Sequence, residues 1–118
     1  MFTKDDVLAV ARVVVEREPD RTNDGECRYT TDGDIDTPHC IAAVILDELY
    51  LFDPMTIMHV GSVAAEPDYF RELGLSDGAL HALDTLQLFA DGDNAEGSCR
   101  WEDAYRLGVE CNFESPRI

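Results

Sequence analysis

The sequence predicts a mainly α-helical domain: a compact bundle of four or five helices around a buried central helix at about 38–52, with one small β-hairpin at about 26–36. Three observations carry that expectation. The stretch TPHCIAAVILDELYLF, from Thr37 to Phe52, is apolar at every position from Ile41 to Leu46, and a helix with no polar side belongs inside a protein. The flanking segments repeat apolar residues at helical spacing. Asp32-Gly33 is the one strong two-residue turn signal between strand-like residues.

Taken in order, the first helix is expected over Lys4 to Arg17. Thr3 and Asp6 form a capping-box pair, and Phe2 is placed to staple onto Val7. Val7, Val10, Ala11, Val14 and Val15 share a face, Arg12 and Glu16 lie opposite, and Pro19 ends the run. An acidic loop over 18–36 holds the hairpin, with one strand at Glu26 to Thr31 and a short charged return around Asp34 to Asp36. The central helix follows, capped by Thr37, with Pro38 at the first helical position and Asp53-Pro54 as its stop.

Met55 to Gly61 reads as a short helix or single turn, and Tyr69, Phe70 and Leu73 anchor another turn or two. Ser76 caps a longer helix whose apolar face is Ala79, Leu80, Leu83, Leu86, Phe89 and Ala90. After the loop DGDNAEGS, Ser98 is expected to cap a last helix carrying Trp101, Ala104, Tyr105 and Gly108. Residues 1–118 are expected to form a single domain, with a tail from 111 that lacks periodicity and is expected to fray.

Composition narrows the function classes. A 45% hydrophobic fraction is ordinary for a globular chain, but 25 acids against nine bases leave a net charge of −16. Such a surface repels phosphate backbones and anionic membranes, so neither direct nucleic-acid binding nor a polybasic membrane contact is expected. No apolar run reaches ~18 residues and no secretory pattern opens the chain. The expected location is therefore cytoplasmic, with Cys27, Cys40, Cys99 and Cys111 as reduced thiols.

Chemistry-bearing patterns are thin. Cys40, near a helix start and beside His39, is the best candidate for a reactive thiol, with Cys27 as a partner if the hairpin folds back. Adjacent helical residues point about 100° apart, however, so His39 is badly placed as its base, and buried cysteine is a common core residue. Cys40 is expected in the core. A zinc site lacks paired ligands two to four residues apart. In DGDNAEGSCRWE, Asp91, Asp93 and Glu102 fall on the first, third and twelfth positions of a calcium loop, but Ala95 and Glu96 occupy the fifth and sixth. Phosphate-loop, dinucleotide and nucleophile-elbow motifs are absent. The expectation is a non-enzyme with no cofactor and no metal.

Cys27-x-Tyr29, then Pro38-x-Cys40-Ile41 opening an apolar helix, then Gly61-Ser62, resemble small uncharacterised accessory proteins of actinobacterial phages, of the mycobacteriophage type. Ala82-Leu83-x-x-Leu86-Gln87, Asp91 and Trp101-x-x-Ala104 are similar too, so the resemblance covers roughly residues 27–109. The chain departs from that family at His39 and Ala43, where a small residue and glycine are usual, and in a longer loop before Trp101. The family has no assigned activity, so the resemblance implies a setting, the host cytoplasm, and no catalytic residues.

The functional expectation is an acidic binding module that meets a basic protein partner, host or phage. Its surface is Asp32, Asp34 and Asp36 on the hairpin with Asp91, Asp93 and Glu96 on the later loop. A decoy of nucleic acid and a cysteine enzyme using Cys40 are the alternatives. Solvated acid-rich loops and a salt-adapted surface are the plain explanations of the same charge.

Overall fold

The computed structural model describes residues 1–23, 29–31, 34–57, 59–91 and 100–109, and of 31 and 34–36 the backbone alone. The fold is mainly helical. Among the described residues, helices α1 (Lys4–Arg17), α2 (Ile41–Glu48), α3 (Pro54–Ile57), α4 (Pro67–Glu72), α5 (Asp77–Ala90) and α6 (Trp101–Tyr105) accompany strands β1 (Thr30–Thr31) and β2 (Asp34–Pro38).

The two longest helices begin where local signals put them. Thr3 and Asp6 satisfy each other's backbone amides at the start of α1, and Ser76 Oγ accepts the Ala79 amide at 3.1 Å to start α5. Between them the N-terminal strand-like residue Phe2 is pinned to the α4–α5 turn. Its amide donates to the Gly74 carbonyl at 2.7 Å, and its carbonyl accepts from the Ser76 amide at 2.8 Å. Gly74 takes a positive φ of 99° to end α4, which suits a residue without a Cβ.

The central helix is shorter than expected. Thr37 and Pro38 belong to β2, and the cap is Cys40, in an extended conformation with no side-chain capping bond. The physical reason is that the strand pairing runs on: β1 and β2 are antiparallel, with Thr30 opposite Pro38 and Thr31 opposite Asp34. The expected turn residues Asp32-Gly33 and the strand start at 26–28 lie outside the described residues.

The far end is corrected too. The helix stops after Glu48 rather than at Asp53-Pro54. Tyr50 adopts a left-handed φ of 61°, its amide bonded to the Asp47 carbonyl at 3.0 Å and the next amide, of Leu51, to Leu46 at 2.8 Å. That pair of bonds is a Schellman stop, with tyrosine where glycine is usual. Asp53 instead starts α3, accepting from the Met55 amide at 3.2 Å and the Thr56 hydroxyl at 2.9 Å.

Ile41, Ala42, Ala43, Val44, Ile45 and Leu46 are all buried, as an all-apolar run requires. They do not form the hub alone. Helix α5 packs against α1, α2, α4 and α6, burying Ala79, Leu80, Ala82, Leu83, Leu86, Gln87 and Ala90. Phe70 and Trp101 complete the core from α4 and α6.

Candidate functional site

The expected acidic face is only partly visible. Asp32, Asp93 and Glu96 lie outside the described residues, and Asp34 and Asp36 are placed by backbone in β2. Asp91 is described, and it has a partner inside the protein. As the cap residue after α5, it accepts a 2.8 Å hydrogen bond from Asn23 Nδ2 through Oδ1.

That bond leads to a buried polar junction. Asn23 is fully buried. Its Oδ1 accepts from the Ile41 amide at 3.0 Å and from Trp101 Nε1 at 2.9 Å. Gln87, almost fully buried on α5, accepts the next amide, of Ala42, at 3.1 Å. The first two donors of α2 are thus satisfied by side chains 18 and 45 residues away. The start of α6 follows the same logic. Arg100, rather than Ser98, occupies the cap position, because the Trp101 and Glu102 amides donate to the backbone carbonyls of Arg21 (2.7 Å) and Pro19 (3.2 Å). Ser98 itself lies outside the described residues.

Arg21 closes the junction. It bonds Glu18 with one guanidinium nitrogen, donates to the Pro38 and His39 carbonyls with the other, and lies 4.5 Å from the Trp101 ring centre. The sequence signal for this junction is weak: one glutamine beside the apolar face of α5, and an asparagine in a loop that reads as polar throughout.

The junction also bears on Cys40. A thiol at a helix start gains acidity from unsatisfied amides, but the amides of Ile41 and Ala42 are taken by Asn23 and Gln87. Cys40 is fully buried in the core, as expected.

Charges on the described surface follow one rule. Arg12 pairs with Glu16, Arg17 with Glu48, Arg21 with Glu18, and Arg71 with Asp68 and Asp77. Arg100 contacts Asp20, Glu102 and Asp103, and Arg106 contacts Asp103. These two guanidiniums hold the Asp103 carboxyl below its ordinary range. Every arginine among the described residues is therefore neutralised by the chain's own acids. Asp5, Asp47 and Glu72 remain exposed besides.

A cleft of about 600 Å³ between α1 and α6 is lined by Arg12, Glu16, Glu102, Tyr105 and Arg106 with Val15 and Pro19, a mixed-sign wall in which both arginines already hold carboxylates. A smaller groove of about 180 Å³ includes His81 and Asp84. Burial raises the Asp84 carboxyl, opposed by His81 and by the Ala64 amide. Neither holds a nucleophile beside a base. Among the described residues no three metal-ligating side chains converge, and the two described members of the calcium-like loop, Asp91 and Glu102, bond Asn23 and Arg100. No helix among the described residues is long and apolar enough to cross a membrane. No family model matches the chain, and neither a curated protein nor a solved structure matches it.

Proposed function

We propose that this chain is a small, acidic, non-catalytic binding module, a phage-type accessory protein that acts in the host cytoplasm on a host or phage protein with a basic surface. The binding residues of this reading are Asp32, Asp34, Asp36, Asp91, Asp93 and Glu96, on the two acid-rich segments. The observation that supports it is the internal pairing of the arginines: the described guanidiniums are engaged by the chain's own acids, while Asp5, Asp47 and Glu72 stay exposed on a chain of net charge −16. Complementary charge speeds encounter and excludes wrong partners, while a smaller apolar centre holds the complex.

The experiment is capture of the partner from bacterial lysate on the intact chain, followed by association rates at rising salt. Screening over ~8–10 Å predicts an association rate that falls steeply between about 50 mM and 500 mM salt, with dissociation much less affected. A rate indifferent to salt would sink the acidic-surface reading.

A further inference from the structure

A complex of that kind would need an apolar centre as well as charge. Helix α1 buries Val7, Leu8, Ala11, Val14 and Val15, which leaves Ala9 and Val13 exposed on its outer side and Val10 half-buried. Val13 is 54% exposed, unusual for a residue type that is most often buried. Ala9, Val10 and Val13 line a groove of about 340 Å³ whose far wall is Glu48 at the end of α2. Glu48 is held there by Arg17, at 2.7 Å. Two residues on, within about 7 Å of chain, stands Tyr50. It is 96% exposed and in the left-handed conformation that glycine adopts without strain. A Schellman stop gains nothing from a tyrosine there, and the ring covers no core.

We propose that this groove, with the exposed Tyr50 two residues beyond its Glu48 wall, is the docking seat for a basic amphipathic segment of the partner protein. Apolar side chains would lie along Ala9, Val10 and Val13, and a lysine or arginine would stack on Tyr50 beside the exposed Asp47. The inference rests on the proposed binding function and locates its apolar centre. Charge selects the occupant. A second copy of this chain would bring −16 against −16. A basic segment meets the opposite sign.

The test uses the intact chain and two peptides of about 14 residues, long enough to form helix on a surface. One alternates leucine and lysine at helical spacing; in the other serine replaces each leucine. The leucine–lysine peptide is expected to bind, and the serine–lysine peptide to bind at least tenfold more weakly. Val13→Ser and Tyr50→Gly together should weaken the leucine–lysine peptide at least tenfold. Tyr50→Gly relieves a strained backbone, so this variant folds at least as well as the parent and carries the test alone if Val13→Ser lowers stability. Unchanged binding in both variants overturns the groove while leaving the acidic surface standing. Failure of both peptides to bind overturns the groove, while the acidic-surface reading stands or falls separately on the salt dependence of partner association. A dimer in sedimentation that Val13→Ser disperses assigns the face to a second copy and overturns the basic occupant.

Discussion

Asn23 and Trp101, 78 residues apart, share a hydrogen bond of 2.9 Å inside the core, and the same asparagine oxygen takes the first amide of α2. One side chain thereby ties the segment after α1 to the starts of two helices, and through Asp91 to the end of a third. Replacing it by alanine strands two buried donors and empties part of the junction. Each orphaned buried group costs about 1–3 kcal/mol, so Asn23→Ala should destabilise the domain by about 2–5 kcal/mol. Chemical denaturation with an unchanged m-value is the measurement, and a loss under about 1 kcal/mol would contradict the junction's structural role.

Asn23→Asp makes a sharper case. The new carboxylate keeps the two acceptor roles but faces Asp91 where an N–H had donated. Like charge and burial both raise its pKa, so folding is penalised at neutral pH and relieved as pH falls and the group becomes an O–H donor to Asp91. The stability gap between Asn23→Asp and parent should narrow from neutral pH toward about pH 4–5. A gap that is constant with pH would show that no charge repulsion is involved.

Whether an element can be read from the chain depends on where its end groups find their partners. Helices α1 and α5 are legible because their caps are local: Thr3 with Asp6, and Ser76 three residues before Ala79. The starts of α2 and α6 are not, because their donors are satisfied from Asn23, Gln87, Pro19 and Arg21, which no local rule connects to them. Thr37-Pro38 reads as a helix start and is a strand end, since cross-strand pairing outweighs local preference. The end of α2 is hidden by Tyr50, a residue that sterics disfavour in the conformation it holds. Of the proposed binding residues only Asp91 has a described side chain, and its Asn23 bond depends on a contact across 68 residues.

Tyr50→Gly should raise stability. A left-handed residue with a Cβ costs about 1–2 kcal/mol, and glycine returns part of that through its looser unfolded chain. The exposed ring covers no core, so its removal subtracts little. The net gain expected is about 0.5–1 kcal/mol, a few degrees in melting temperature for a domain of this size. A lower melting temperature would mean that the ring makes a stabilising contact.

Asp84 titrates against the fold. Its folded pKa is raised by burial, so the stability it contributes is fully present below the ordinary carboxylate range and is lost as pH rises through the raised value. Asp84→Asn keeps an acceptor for the Ala64 amide and removes the ionisation. The variant should be slightly more stable than the parent near neutral pH, and the gain should vanish near about pH 3. A gain that grows with acidity would reverse the assigned sign.

Cys40 is expected to be chemically quiet in the native protein. It is fully buried, and the α2 amides that would have stabilised a thiolate are bonded to Asn23 and Gln87. Burial also shields the sulfur from a reagent. A maleimide reagent should therefore label Cys40 slowly in the native protein and rapidly in urea, with peptide mapping to separate it from the other cysteines. Cys40→Ala removes a small core side chain, so a destabilisation of about 1 kcal/mol is expected from the cavity alone. It should leave partner association unchanged, because nothing at the surface moves. Rapid native labelling, or failure of a folded Cys40→Ala variant to bind, would reinstate the thiol as a functional group and displace the acidic binding module as the leading account.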